Sequence, residues 1–252
     1  MSWVQNSGLL KTTVAMLGVV FFLFCAGDVP AQKKFSRTYP AGQSVRLKLV
    51  NRTGTVTIEG WSKAEVSIQA SMEAPTANIQ PQSLSGEIVV NLVRDNQGRG
   101  EVGIVNFLIR VPYYTMVDIE TMVGNLTVSN ISGGLVRAHI STEGDITLLN
   151  IGASNVAADN VTGDIFFDGE LQEGGNYRFS SNKGNIGLRI PFNSSFKVVA
   201  TAPSTRDISF YQCAGPDLSL LGDGRRMVGK CGSGSATLSV TNQRGSIKFY
   251  RR

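Results

Sequence analysis

The chain has little of what makes histidine-rich metal centres and, after residue 31, no pattern of the kind that makes long helices or membrane spans. It has one histidine in 252 residues, which excludes a histidine-rich metal centre. Charged residues make up 17%, against roughly 25% in typical soluble domains. Eight prolines are too few for a collagen-like or proline-rich disordered chain. No stretch after residue 31 keeps a 3.6-residue apolar period, so very little helix is expected. No stretch there approaches the ~18 apolar residues of a membrane span. The motifs that cradle phosphates or dinucleotides, the Cys-x-x-Cys pair and the Gly-x-Ser-x-Gly elbow are all missing. No cofactor or metal is expected.

The 28 glycines, about 11% against a usual ~7%, are what the chain has in excess. Many glycines and few charges fit short strands joined by tight turns. Residues 1–31 read as a secretory signal. Lys11 precedes the apolar run Val14–Phe24, which suits a signal core and is short for a bilayer span. Val29-Pro30-Ala31 places cleavage after Ala31, with Gly27 the second choice and an uncleaved anchor a further alternative. Acylation at Cys25 is disfavoured by bulky Phe22-Leu23-Phe24 before it. Export, to the periplasm or the cell surface, leaves Cys213 and Cys231, which are expected to pair in an oxidising compartment.

Alternating apolar and polar residues mark strands at Val45, Leu47 and Leu49, at Val56 and Ile58, and at Val66, Ile68 and Ala70. The same alternation recurs at Ile88 and Val90, and at Val105, Phe107 and Ile109. Ala74–Leu84 reads as a loop and Asp95–Gly100 as a turn. From about residue 115 a unit repeats: Gly124-Asn-Leu-Thr-Val128, Gly144-Asp-Ile-Thr-Leu148, Gly163-Asp-Ile-Phe-Phe167 and Gly184-Asn-Ile-Gly-Leu188. Gly245-Ser-Ile-Lys-Phe249 and, earlier, Gly54-Thr-Val-Thr-Ile58 are further copies. The first four glycines of the run lie 20, 19 and 21 residues apart, with a second strand between each pair.

A period near 20 with two strands per turn predicts an all-β fold, a single-stranded parallel β-helix or β-solenoid of roughly 20-residue coils. A β-sandwich is the alternative, because regular strand spacing fits it too. After the signal, residues 32–114 supply N-terminal strands, as first coils or a cap, and 115–252 the repeat coils. The inward column should contain Ile119, Leu126, Val128, Ile146, Leu148, Ile165, Phe167, Phe179, Ile186, Leu188, Val240 and Ile247. Ala214–Gly232 departs from the repeat, and a Cys213–Cys231 bridge would staple it to the last coil.

Gly54–Ile58 followed by Trp61, Val111-Pro112, the Gly-Asn/Asp-apolar repeats from Gly124 to Leu188 and the ending Gly234–Ile247 carry a resemblance. Together they resemble a bacterial envelope family, the adhesin-type domain of unknown function built as a repetitive β-solenoid. The likeness runs from about Gly42 to the end of the chain. It implies an exported protein with adhesion or surface interaction as its role.

Candidate chemistry is sparse. His139 could recruit Ser141 and Asp145 as a triad, but a surface histidine is expected, with Val136, Ala138 and Ile140 facing inward. Asp145 and Asp164 could stack as a Ca²⁺ site or an acid pair. Asn125, Asn185 and Ser246 hold the same repeat position, which favours corner capping. Seven cations crowd residues 222–252: Arg225, Arg226, Lys230, Arg244, Lys248, Arg251 and Arg252, against Asp223 alone. Lys33, Lys34 and Arg37 add charge at the other end. The C-terminal cations could meet anionic lipid or acidic envelope polysaccharide. Another envelope protein is the remaining partner class, and nucleic acid is excluded for an exported chain. The leading reading is a non-enzymatic, adhesin-like envelope module. A carbohydrate-active enzyme with acidic residues converging in a groove, or an accessory of envelope-stress signalling, stand as alternatives.

Overall fold

Apolar residues at every second position dictate strands with one buried face. The computed structural model describes residues 32–252 apart from 43, 211 and 212. The expected signal segment and Cys25 lie outside the described residues. The first strands are β1 (Lys33–Pro40), β2 (Arg46–Val50), β3 (Val56–Trp61), β4 (Glu65–Met72), β5 (Gln82–Leu84) and β6 (Glu87–Asn91). One helical turn, α1 (Leu92–Asp95), precedes β7 (Val105–Pro112). Then follow β8 (Met116–Val123), β9 (Leu126–Ser129), β10 (Leu135–Glu143), β11 (Ile146–Ile151), β12 (Asn155–Thr162), β13 (Ile165–Gly169), β14 (Asn176–Lys183) and β15 (Ile186–Ile190). The last are β16 (Phe196–Thr201), β17 (Ile208–Ser209), β18 (Asp217–Leu221), β19 (Arg226–Cys231), β20 (Ala236–Arg244) and β21 (Ile247–Arg251).

These strands build two sheets. Sheet A runs β1-β4-β7-β3-β9-β11-β13-β15-β21-β17, and sheet B runs β18-β19-β16-β20-β14-β12-β10-β8-β2-β6-β5. One strand of sheet B followed by one of sheet A makes a coil. In space the coils stack as β6–β7, β2–β3, β8–β9, β10–β11, β12–β13, β14–β15, β20–β21 and β16–β17. Neighbouring coils pair in parallel: Ile146 lies between Leu126 and Ile165 in sheet A, and Ala138 between Ile119 and Ala158 in sheet B. This is the β-solenoid that the period predicts. The two sheets face each other as in a sandwich, but the chain changes sheet within each coil, which a sandwich of hairpins does not do.

Stack order and chain order part company at both ends. The coil β6–β7 sits outside β2–β3, and β20–β21 is inserted inside β16–β17. Antiparallel strands finish the stack: β4 and β1 beyond β7, β5 beside β6, and the β18–β19 hairpin beside β16. The residues 214–232 that break the repeat are largely this hairpin. Cys213 and Cys231 are joined as expected, with Cα atoms 5.9 Å apart. The bridge ties the segment after β17 to the end of β19.

All twelve residues expected in the inward column are at most 1% exposed. Rings close the gap between sheets, with the Phe167 and Phe179 centroids 5.1 Å apart. Among the largest fully buried side chains of the described residues, Tyr177 is the one with a polar end. Its hydroxyl donates to the Ala153 carbonyl at 3.0 Å and accepts from the Gln172 N–H at 2.6 Å. Burial pushes its pKa above the ordinary tyrosine value.

One corner of every regular coil is a glycine at positive φ. At Gly163, φ is +130° and a Cβ would lie 2.1 Å from the Gly144 carbonyl oxygen of the coil below. The next residue forms a ladder. Asn125 Oδ1 accepts from the Asp145 N–H at 2.9 Å, Asp145 Oδ1 from Asp164 N–H at 2.7 Å, and Asp164 Oδ1 from Asn185 N–H at 2.7 Å. Asn185 Oδ1 continues it to the Ser246 N–H at 3.1 Å. Buried Asn160 and Asn242 cap glycine carbonyls from inside, through Gly144 O at 3.1 Å and Gly184 O at 2.8 Å.

Candidate functional site

Because both inner faces fill the core, ligands can meet only the outer faces, the corners and the ends of the stack. Asp145 and Asp164 belong to a corner and serve as capping acceptors. His139 points outward from β10, with Val136, Ala138 and Ile140 buried beside it. Its Nδ1 lies 2.5 Å from Asp159 Oδ1 on the next coil. Glu120 is its register neighbour on the other side. Ser141 and Asp145, the near residues in sequence, are not its partners. Arg137 pairs with Asp118 at 2.7 Å on the same face. Among the described residues, no three His, Cys, Asp or Glu side chains are placed to hold a metal ion.

The seven C-terminal cations fall into three groups. Arg225 lies in the turn before β19, and Arg226 and Lys230 on β19, at the far border of sheet B. Lys197 of β16 stands beside Lys230. Arg244 is at the glycine corner, in register with Lys183. Lys248, Arg251 and Arg252 belong to the last strand of sheet A and the residue after it. Arg251 covers the Phe192 ring at 5.3 Å. Arg252 is held by Asp168 at 3.1 Å and Glu170 at 3.7 Å. Among the described residues, the other six have no carboxylate within ion-pair distance.

Around Lys248 the outer face of sheet A changes character. Across the middle coils its outward row is Thr57, Thr127 and Thr147, in register. The row continues through Phe166, Gly187 and Lys248. A Cβ on Gly187 would come within 3.2 Å of both the Phe166 and Tyr250 rings, so the two rings lean over the glycine from either side. The next outward row holds Asp168, Arg189 and Tyr250. Arg189 donates to Asp168 Oδ2 at 2.5 Å and sits 5.8 Å from the Phe166 centroid. That hydrogen bond and the charge of Asp168 hold the Arg189 guanidinium still further above its ordinary pKa. Asp168 is 6% exposed, buried beneath its two arginines.

Lys248 and Arg252 of this patch are among the cations expected from the sequence; Phe166, Asp168, Gly187, Arg189 and Tyr250 are not. A signal was present. In Gly163-Asp-Ile-Phe-Phe167 the outward position, threonine in earlier copies, carries a phenylalanine, and in Gly184-Asn-Ile-Gly-Leu188 it carries a glycine.

Several solved structures are similar to this chain. A candidate cell adhesion protein from Clostridium sporogenes ATCC 15579 aligns with a TM-score of 0.51 at 13% identity, over 88% of this chain and 100% of that one. A candidate adhesin from Bacteroides fragilis NCTC 9343 gives 0.40 at 11% identity, over 88% of this chain and 99% of that one. A candidate lipid-binding protein from Parabacteroides distasonis ATCC 8503 gives 0.37 at 8% identity, over 87% and 97%. The search of curated proteins found no match. The Toastrack DUF4097 family model matches residues 42–249, nearly the whole two-sheeted body, and the chain therefore belongs to the Toastrack DUF4097 family.

Proposed function

We propose that this protein is an exported, non-enzymatic, adhesin-like module of the bacterial envelope that binds an acidic envelope polysaccharide. One observation carries the reading: six exposed or half-exposed cations of the C-terminal segment have no carboxylate partner among the described residues. Charges left unpaired on a protein surface project a field that draws polyanions and is screened by salt. The disulfide suits an oxidising compartment, and the similar structure described as a candidate cell adhesion protein supports the same role. Asp168, the buried carboxylate of the sheet A patch, is engaged by Arg189 and Arg252.

The test uses the exported protein purified from cells expressing the full chain. It is sedimented with isolated envelope polysaccharide, and separately with anionic vesicles, across a salt series. Salt-sensitive binding to polysaccharide, weakened when Arg225, Arg226 and Lys230 are changed to glutamate, is the expected result. Binding to vesicles alone would replace the polysaccharide by a membrane, and binding to neither would remove the proposal.

A further inference from the structure

We propose that the patch on the outer face of sheet A is a binding site for an acidic pyranose of a polysaccharide chain, with Phe166 and Tyr250 as its floor and Lys248 and Arg189 as its anion contacts. The inference rests on the polysaccharide reading above and names the place and the sugar chemistry. The floor is made of two aromatic side chains. Both rings lean over Gly187, where even a methyl group would press on them at 3.2 Å, and Tyr250 remains 46% exposed. Sugar rings present C–H groups on one face, and these pack on aromatic π-surfaces.

The cations are arranged differently from those elsewhere in the segment. Arg189 is oriented by buried Asp168, which Arg252 holds from a second side. A guanidinium has five N–H donors. The single hydrogen bond to Asp168 leaves donors on Arg189, whose side chain is 44% exposed. Lys248 stands directly beside Gly187 in register and has no ion pair among the described residues. A neutral sugar would use the floor and leave Lys248 idle. A ring-free polyanion would use Lys248 and leave the floor idle. A sugar with a carboxylate engages both. The threonine row that runs into Phe166 from the neighbouring coils, with strands spaced about 4.8 Å apart, offers hydroxyl partners to further sugars, which favours a chain over a single residue.

Aromatic side chains that shield a strand glycine can also be purely stabilising, so the test must separate binding from stability. The exported protein is titrated with polygalacturonate, with neutral dextran and with polyphosphate. Polygalacturonate is expected to bind best. Tyr250→Ala and Phe166→Ala should each weaken it roughly three- to tenfold, the size of one aromatic contact. Gly187→Val keeps both rings and both cations and should weaken it similarly, because the rings are pushed off the sheet. Lys248→Gln should abolish the preference over dextran. Thermal unfolding of each variant identifies any that fail to fold, and Lys248→Gln, on the exposed face, keeps the question answerable if the ring variants do. Unchanged polygalacturonate binding in folded variants, with loss only on reversing Arg225, Arg226 and Lys230, overturns this site and leaves the broader polysaccharide reading standing. No binding of the parent protein to any acidic polymer removes both.

Discussion

Gly163 shows how little freedom the corners leave. Its φ of +130° lies where side chains other than hydrogen are strained, and its missing Cβ is what lets the Gly144 carbonyl approach. Strain and collision act together at Gly163→Ala, so a loss of about 3 kcal/mol or more is expected. Gly100 has nothing within 4 Å of its missing Cβ and no positive φ, so Gly100→Ala should be nearly neutral. Equal denaturant midpoints for the two variants would show that the corner is not rigid. The glycines and the Asp145 and Asp164 caps were legible because the same residue types recur at the same place in each copy. The Asp159 partner of His139 was legible in principle too. It lies 20 residues on, one full period, whereas Ser141 and Asp145 are merely near in sequence. In a solenoid the neighbours of a side chain are one period away.

Elements divide by direction. Alternation in β4 reads like alternation in β2, yet β4 runs antiparallel to its neighbours and closes the stack instead of forming a coil. Periodicity records which side chains are buried and is silent on strand sense. At the edge, β1 buries little, since only Phe35 and Tyr39 pack on the core, and its Lys33, Lys34 and Arg37 suit an edge that must not pair with another chain. The β18–β19 hairpin buries fully only Met227 and Cys231, and its Leu220 is 62% exposed. Its attachment therefore leans on the Cys213–Cys231 bridge and the pairing of β19 with β16. Replacing both cysteines by serine should cost about 3 kcal/mol, the usual effect of closing a loop of this length. The loss should be local. Hydrogen exchange should quicken in β18 and β19 and stay slow in β11, β12 and β13. Uniform acceleration through all of these strands would mean that the hairpin is integral to the core.

At the scale of the whole molecule, the cations that crowd one stretch of sequence are spread over two sheets and a corner, because β19 and β21 belong to different sheets. A count along the chain could not show this, and the aromatic patch was hidden for the same reason, being assembled from three coils. Stack order has a kinetic consequence. In the middle, neighbouring strands are about one period apart in sequence, as in Ile146 against Ile165. At the ends the inserted coils close much longer loops: Leu47 pairs with Val117, and Phe179 with Val240. Ordering a long loop costs entropy before its contacts repay it, so the middle coils should form first and the inserted coils late. Leu148 in β11 and Leu238 in β20 are equally buried, at 0% and 1% exposure. Changing either to alanine should cost about 2–5 kcal/mol. The loss should divide differently between the rates. Leu148→Ala should mainly slow folding, as for a residue in the nucleus, and Leu238→Ala should mainly speed unfolding. Stopped-flow chevrons of the two variants measure this directly. If Leu238→Ala slows folding as much as Leu148→Ala does, the inserted coil is already in place at the transition state, and chain separation does not set the order of assembly.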